Sequence, residues 1–308
     1  MKAFVLFATV VVVAVGALPA SPVSRARIPK RPRGAPDAAP AASNASVSVL
    51  INNGKMAEIG QFPWMANIVM DDAWYCGGSL ISDKHILTAA QCASGYGRFL
   101  VTLGDVHTYS SSDYFVFAYT YKSCWHEDYK EEIHLNDIGI IELLYSVTVT
   151  GWHRDETLHW NTFTLDGVKP IALAPQSSDT YSGVTATVSG FGMSVYGYES
   201  NDLMYVEQPV MDNSLCARYL GKDVTDSHIC GDGSGGIGTC KGDGGDPLVV
   251  PVTDSDTGAT TWMLVGVASF QSDVDCGLGY PSAYTRVTSY LDWIAAKVAG
   301  GAACYPGQ

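Results

Sequence analysis

Short segments in which apolar residues occupy every second position constrain the fold of this chain more than any other feature. From Phe99 to Leu103, in RFLVTLG, and from Val184 to Val188, in VTATVSG, apolar side chains recur with a period of two. This period is typical of β-strands that are buried on one face. Clusters of Gly, Asn, Asp and Ser separate such segments. We therefore expect an all-β fold.

One helix is predicted near the end of the chain, in TSYLDWIAAKVAGG (288–301). Ser289 and Asp292 have the spacing of a capping box, and Gly300 with Gly301 supplies a stop signal. The apolar residues that share one stripe of this helix, and that predict a packing face, are Tyr290, Ile294 and Val298, with Trp293 beside them.

The two ends of the chain are predicted to lie outside the fold. Residues 1–17, MKAFVLFATVVVVAVGA, have the pattern of a secretory signal peptide, and their apolar run is too short to span a bilayer comfortably. Residues 18–50 are basic and rich in Pro and Ala, and because such a composition buries little apolar surface, we predict a disordered arm. This arm includes a glycosylation sequon at Asn44. The folded domain is expected over residues 51–300 and a tail over 301–308. The mature protein is expected to be secreted and extracellular.

Charge is distributed unevenly along the chain. It contains 18 Lys and Arg and 31 Asp and Glu; six of the basic residues but only one of the acidic ones precede Ile51, which leaves 12 basic against 30 acidic residues. An acidic body repels nucleic acids and anionic membranes, so we expect neither as a partner. One interpretation is that the negative charge of the body only maintains solubility. The alternative is that the basic arm folds back on the acidic body or docks on a partner.

Eight cysteines behind a signal peptide predict four disulfides, because secreted proteins fold in an oxidising compartment. No CxxC pair is present and no His stands at ligand spacing from a Cys pair, so we expect neither a metal site nor a cofactor.

Five longer motifs stand in a fixed order along the body: GQFPWMA (60–66), CGGSLISDKHILTAAQC (76–92), NDIGIIEL (136–143), CKGDGGDP (240–247) and SAYTRVTSYLDWI (282–294). In order and approximate spacing they resemble the chymotrypsin/trypsin family of serine proteases, from Ile51 to about Val298. The resemblance implies two six-stranded antiparallel β-barrels with a cleft between them and a C-terminal helix. The wording of the first two motifs looks arthropod-like.

Two of the three residues that the resemblance implies for catalysis are replaced. In this family a Ser attacks the substrate carbonyl, a His takes up its proton and a buried Asp orients the His. Gln91 stands at the His position and Gly244 at the Ser position, while Asp137 survives. A carboxamide cannot accept and return a proton near neutral pH, and glycine has no side chain to acylate. We therefore predict an inactive homologue in which Asp137 is a buried, hydrogen-bonded carboxylate.

The loop around the nucleophile position departs further from the family. The predicted remnant of the oxyanion loop comprises Gly242, Asp243 and Gly244, with N–H donors on the two glycines. Asp246 replaces a Gly and adds a negative charge that we expect to oppose an oxyanion. The resemblance implies that a freed N-terminal Ile pairs with Asp243, but Leu50 precedes Ile51, where the family has a basic residue.

The specificity pocket implied by the resemblance is also altered. Its base, six residues before Gly244, is Gly238, which lacks the carboxylate of trypsin-like enzymes. Ser269, Phe270 and Gln271 stand where the family usually has SWG. Gln271 replaces a Gly that lets substrate backbone approach, so we predict a narrowed groove.

Three of the four disulfides are implied by the resemblance. The pairs are Cys76–Cys92, Cys216–Cys230 and Cys240–Cys276, which leaves Cys124 and Cys304 to pair with each other.

The segment GWHRDETLHWNTFTLDG (151–167) is longer than the family usually has and is rich in aromatic residues. Trp152 and Trp160 are its candidate interaction residues, because Trp is frequent in binding hot spots. The alternative is a loop that packs on itself.

The sequence predicts a secreted, non-catalytic serine protease homologue that acts through extracellular protein partners, as a cofactor, decoy or inhibitor in a proteolytic or defence pathway. One alternative is a serine-type endopeptidase with residual or altered activity through an unforeseen residue, and another is a bulk structural or storage role. Five residues near the motifs could in principle replace the missing nucleophile or base, but their spacing places none of them opposite Gly244. They are Ser234, His85, His107, His126 and His134.

Overall fold

The structure is a computed structural model of the chain. It describes residues 51, 53–107, 116–147, 151–154, 160–163, 167–192, 200–221, 223–253, 257–272 and 276–300. The predicted signal peptide (1–17), basic arm (18–50) and tail (301–308) lie outside the described residues. Within the described part of the chain, no helix is long and apolar enough to cross a membrane.

Strands dominate the described chain. In order, the elements are β1 (Lys55–Met56), β2 (Met65–Met70), β3 (Trp74–Leu80), β4 (His85–Thr88), α1 (Ala90–Ala93), β5 (Phe99–Leu103), β6 (Val116–Thr120), β7 (Lys122–Trp125), a 3-10 helix (Glu131–Ile133), β8 (Gly139–Glu142), β9 (Gly151–Arg154), β10 (Trp160–Phe163), β11 (Ala172–Leu173), β12 (Thr185–Gly190), β13 (Met204–Met211), α2 (Asn213–Leu220), β14 (His228–Gly231), β15 (Pro247–Thr253), β16 (Thr260–Gln271), β17 (Ser282–Arg286), a second 3-10 helix (Val287–Tyr290) and α3 (Leu291–Val298).

The first barrel is an antiparallel sheet in the order β6-β5-β2-β3-β4-β8-β7. Its two outermost strands, β6 and β7, are separated in the chain only by Tyr121, so the ends of the order meet and the sheet closes. With β6 and β7 counted as one bent strand, the barrel has six strands. Ile68 on β2 lies opposite Val101 on β5, and both are fully buried in the core.

The second barrel closes because β13 pairs with both β12 and β14, which completes the ring β13-β12-β15-β16-β17-β14. Two short strands extend it: β1 pairs with the first residues of β13, and β11 runs parallel to β16. Its core includes Val188, Leu248 and Tyr284. The predicted fold of two six-stranded antiparallel barrels with a C-terminal helix is confirmed.

The two alternating segments behave differently. In β5, Phe99, Val101 and Leu103 face the core, as the period of two predicts. In the second segment only Ala186 and Val188 enter the core, while Val184 precedes β12 and is 37% exposed. Of the polar positions of β12, Thr187 and Ser189 are buried as well, while Thr185 is exposed.

The C-terminal helix begins after the second 3-10 helix. Tyr290 is its N-cap residue and no side chain caps it, so the capping box predicted from Ser289 and Asp292 is wrong. Ser289 lies within the 3-10 turn, one residue too early to cap α3. The predicted packing stripe is present at Tyr290 and Ile294, which are buried. The Tyr290 hydroxyl donates to Oδ1 of Asn136 at 2.8 Å, which joins the end of the chain to the first barrel.

Three disulfides join described cysteines: Cys76–Cys92, Cys216–Cys230 and Cys240–Cys276. These are the pairs that the resemblance implies. Cys124 is also disulfide-bonded, and Cys304 lies outside the described residues.

The aromatic segment contains two short strands rather than an irregular loop. β9 and β10 form an antiparallel hairpin in which Trp152 lies opposite Thr162 and Trp160 opposite Arg154. Residues 155–159 and 164–166 lie outside the described chain. Whether Trp152 and Trp160 form an epitope stays a prediction.

Candidate functional site

The three positions of the predicted triad come together between the barrels. Gln91 lies in α1 directly after β4, Asp137 directly before β8, and Gly244 in the loop that leads into β15. The backbone N–H of Gln91 donates to Oδ1 of Asp137 at 3.0 Å, and its Nε2 donates to Oδ2 at 2.7 Å. A side chain on Gly244 would begin 3.6 Å from the carboxamide carbon of Gln91.

Asp137 is fully buried and holds both barrels together. Besides the two bonds from Gln91, its Oδ2 accepts the Ser269 hydroxyl at 2.6 Å, and its backbone carbonyl accepts the Thr285 hydroxyl at 2.6 Å. Ser269 and Thr285 belong to β16 and β17 of the second barrel. Burial raises the pKa of Asp137, and the hydrogen bonds from Ser269 and Gln91 act in the opposite direction. Hydrogen bonds of this kind compensate the cost of burying a carboxyl group.

The carboxamide of Gln91 bridges the two barrels. Its Nε2 carries two hydrogens. One is donated to Oδ2 of Asp137 and the other to the backbone carbonyl of Ser269, each over a distance of 2.7 Å. An imidazole in this place could shuttle a proton, whereas an amide has no acid–base equilibrium near neutral pH. The arrangement therefore orients a side chain that can donate hydrogen bonds but cannot act as a base.

Glycine is not required at position 244 by the backbone or by its neighbours. A Cβ there would lie 3.4 Å from Sγ of Cys92 and 3.7 Å from Sγ of Cys76, which are ordinary contact distances. The adjacent Gly245 is different: its φ is +87°, and a Cβ would overlap the carbonyl oxygen of Gly77 and the hydroxyl of Thr88. The conformation of the loop therefore requires glycine at position 245 but not at position 244.

The remnant of the oxyanion loop, Gly242 to Gly244, presents two unused donors. The N–H groups of Gly242 and Gly244 donate no hydrogen bond to any other residue that the structure describes, and both glycines are partly exposed. The rest of the loop is anchored, since Gly77 donates to the carbonyl of Gly244 at 2.8 Å and Gly245 donates to Ala268 at 2.8 Å. These two N–H groups can still receive a carbonyl or carboxylate oxygen.

Two buried acidic residues lie in and just after this loop. Asp243 accepts the N–H of Gly192 at 2.8 Å and that of Cys240 at 2.7 Å. Asp246 is fully buried beside Asp243, and burial together with the neighbouring carboxyl raises its pKa well above the ordinary value. Burial and the neighbouring carboxyl thus favour the neutral form of Asp246.

The pocket positions lie on β16 and in the loop before Gly242. Phe270 is stacked on His134 with ring centroids 4.7 Å apart and meets His228 edge-on at 5.5 Å. The hydroxyl of Ser269 is committed to Asp137, and Gln271 ends β16 opposite Ser282. His134 and Phe270 thus form one aromatic wall beside the Asp137 cluster.

Gln208 is a residue of this region that the sequence reading missed. It is fully buried, its Nε2 donates to the hydroxyl of Tyr284, and its Oε1 has no hydrogen-bond partner among the described residues. A side chain on Gly238 would lie 3.5 Å from this oxygen and 2.7 Å from Oγ of Ser282. The available signal was the inward-facing position of Gln208 between Val206 and Val210 in β13, where an apolar residue is expected.

The substitute residues considered from the sequence have other partners. The Ser234 hydroxyl donates to Asp232 at 2.6 Å. His85 bonds Ser82 and His107 bonds Asp202. The ring of His126 packs against Tyr290 and Trp293, whereas His134 is close enough to Asp137 to influence the pKa of that carboxyl. Within the described part of the chain, no three His, Cys, Asp or Glu side chains are grouped so that they could hold a metal ion.

Comparisons with known proteins agree with this geometry. The family model described as Trypsin matches residues 51–294. Brachyurin from Leptuca pugilator is 36% identical over 79% of this chain and 96% of its own length. Venom serine protease Bi-VSP from Bombus ignitus is 33% identical over 81% of this chain and 68% of its own. The solved structure of HL collagenase has a TM-score of 0.64 and 32% identity, and the match covers 80% of this chain and 98% of that one. The chain therefore belongs to the trypsin family of serine proteases.

Proposed function

We propose that this chain is a secreted, non-catalytic member of the trypsin family that acts by binding an extracellular protein, as a cofactor, decoy or inhibitor in a proteolytic or defence pathway. The observation that carries the proposal is the carboxamide of Gln91, held by Asp137 and by the carbonyl of Ser269 in the place of the general base. Gly244 supplies no nucleophile. Loss of triad members leaves only the contributions of the oxyanion hole and of binding.

The surroundings of the site support a binding role. The frame is maintained by disulfides and by hydrogen bonds between the barrels, so the altered cleft is a defined surface. A reactive group is not needed for such a surface to recognise another protein. The proposed secretion of this chain is consistent with a relative that is named as a venom serine protease.

A serine-type endopeptidase with residual or altered activity is the second candidate. It is favoured by the two unused N–H groups of Gly242 and Gly244 and by His134, which stands close enough to Asp137 to influence its pKa. The names of the relatives, which include a serine protease and a collagenase, point the same way.

A reactivity assay separates the two candidates. The purified chain, intact and cleaved after Leu50, is offered a fluorophosphonate probe and a broad set of peptide substrates. We expect neither labelling nor turnover. An active trypsin-family protease serves as the positive control, and a His134→Ala variant identifies the base if turnover is seen. Turnover that His134→Ala abolishes would establish the second candidate.

The binding role predicts an effect on another protease. The chain is added to an active trypsin-family protease that is cleaving a protein substrate: a cofactor raises the rate, and a decoy or inhibitor lowers it. Removing Trp152 and Trp160 together, by substitution with Ala, abolishes the effect without lowering thermal stability if they form the contact surface. Trp74→Ala is the matched control, because Trp74 is an exposed Trp on the first barrel.

A further inference from the structure

Two carboxyl groups lie side by side beneath the former nucleophile loop. Asp243 and Asp246 are both fully buried. A methyl group on Gly190 would overlap Oδ2 of Asp246 and come within 2.9 Å of Oδ1 of Asp243, so these oxygens are close neighbours. A methyl group on Gly77 would overlap the other oxygen of Asp246. The Asp246 carboxyl therefore fills a gap between β12 of the second barrel and β3 of the first.

Hydrogen bonding divides the two groups. Asp243 accepts two backbone N–H donors, from Gly192 and Cys240. When both carboxyls are ionised, neither oxygen of Asp246 has a donor among the described residues. A proton held by one carboxyl supplies the missing hydrogen bond to the other. Two adjacent carboxylates that share a site generally keep one proton for this reason.

No cationic side chain of the described residues compensates the pair. The groups that contribute to the pKa of Asp243 and of Asp246 are each other, the surrounding burial and the two backbone donors; no described Lys, Arg or His contributes. Among the described residues, Tyr284 of β17 is the one other titratable side chain that faces them, and its pKa is raised by burial and by both carboxyls. Tyr284 is neutral under ordinary conditions. Within the described part of the uncut chain, only a proton is thus available to neutralise the pair.

We propose that Asp243 and Asp246 share one proton, and that this pair is a pH-sensitive lock that holds residues 240–247 against both barrels. The loop is tied to the second barrel through Gly192 and Ala268, which donates to the carbonyl of Asp246 at 2.9 Å, and to the first barrel through Gly77. Loss of the shared proton places two repelling charges in the gap between β3 and β12 and loosens the loop. The lock is independent of whether the chain is catalytic.

The sign of the pH effect follows from the raised pKa of the pair. An Asp in the unfolded chain releases its proton near pH 4, whereas the folded pair retains one to higher pH. Stability that depends on the shared proton is complete below about pH 4 and is lost as the pH rises through the folded pKa. Over that range the folding equilibrium constant falls about tenfold per pH unit for one retained proton.

The experiment compares the full, uncut chain with Asp246→Asn, in which an amide replaces the protonated carboxyl and donates to Asp243 without titrating. Folding equilibrium constants are measured by urea unfolding from pH 4 to pH 8 for both proteins and for Asp128→Asn, a control at an exposed Asp. We expect the folding equilibrium constant of Asp246→Asn, divided by that of the parent, to rise by about tenfold per pH unit over part of this range. The same ratio for Asp128→Asn should not change with pH.

A second variant and a direct measurement keep the proposal falsifiable. Asp246→Gly restores the residue found in the family and is expected to remove the same pH dependence if Asp246→Asn does not fold. NMR of carboxyl-labelled Asp in the parent is expected to show that one carboxyl of the Asp243–Asp246 pair is protonated at pH 5. Parallel pH profiles for parent and variants, or two ionised carboxyls at pH 5, would overturn the proposal. If the free energy of unfolding changed with added Na⁺ or Ca²⁺ but not with pH, a bound metal cation and not a shared proton would neutralise the pair, which would also overturn the proposal.

Discussion

The carboxamide of Gln91 and the carboxylate of Asp137 are joined by a 2.7 Å hydrogen bond from Nε2 to Oδ2, and a second bond, from the backbone N–H of Gln91, reaches Oδ1. The pair keeps the contact that an orienting Asp makes with a catalytic His, although a carboxamide cannot take up and return a proton near neutral pH. The contact geometry of this site and its acid–base chemistry can therefore be tested by separate substitutions.

Restoring the two missing groups is expected to restore reactivity. Gly244 has room for a Cβ and Gln91 already meets Asp137, so the double variant Gln91→His, Gly244→Ser rebuilds the three-residue arrangement. We expect fluorophosphonate labelling of the double variant, cleaved after Leu50, to exceed that of the parent by at least about a hundredfold. The single variants should stay near the parent, because the residues of a triad act as a unit. Equal labelling of a single and the double variant would contradict this arrangement.

The two neighbouring glycines are expected to respond differently to Ala. Gly244→Ala should change the free energy of unfolding by less than about 1 kcal/mol, since its Cβ meets only ordinary contacts. Gly245→Ala should cost about 3 kcal/mol or more, because a residue with a side chain is strained at φ +87° and its Cβ overlaps Gly77 and Thr88. Urea unfolding of the matched pair measures both values. Similar losses for the two variants would show that the loop relaxes around either substitution.

Asp137 is expected to be a structural residue in the present chain. Asp137→Ala removes the acceptor of the Gln91 backbone N–H, of one Nε2 hydrogen of Gln91 and of the Ser269 hydroxyl, and we expect a loss of about 3 to 5 kcal/mol in the free energy of unfolding. Ser269→Ala, which removes one donor, should cost about 1 kcal/mol. A loss below 1 kcal/mol for Asp137→Ala would mean that water replaces the carboxylate.

The C-terminal helix predicts a loss of stability in acid. Burial raises the pKa of Glu127, but hydrogen bonds from Lys297 and Trp293 outweigh it and lower the pKa to about 2. A lowered pKa stabilises the fold above the unfolded value of about 4.3. This contribution is lost as the pH falls from about 5 towards 2. Thermal unfolding at pH 6, 4 and 2.5 should show a smaller acid loss for Glu127→Gln than for the parent or for Glu58→Gln, an exposed control. The direction is opposite to that of the Asp243–Asp246 pair.

Most of the fold could be predicted from the sequence because its signals are local or ordered along the chain. The period of two in RFLVTLG gives the buried face of β5 directly. One local signal failed where neighbouring structure intervened: Ser289 has the spacing of a cap but lies inside a 3-10 turn.

The site could be predicted only in part. The resemblance indicates which positions meet, and Gln91, Asp137 and Gly244 do meet. The spacing of three residues between Asp243 and Asp246 does not reveal which way the second side chain turns. Its burial depends on the absence of side chains at Gly77 and Gly190, which are distant in the sequence. Gln208 was missed for the same reason, since its partner Tyr284 is 76 residues away.

The hydrogen bonds that cross between the barrels have a consequence for how such chains are classified. Gln91 to Ser269, Ser269 to Asp137 and Thr285 to Asp137 all pass through the place where peptide hydrolysis occurs in active enzymes. The acid of the triad therefore also joins the two barrels of the tertiary structure, whether or not the chain hydrolyses peptides. An intact Asp at this position is therefore not by itself evidence of catalysis, because its hydrogen bonds with Ser269 and Thr285 serve the packing of the two barrels.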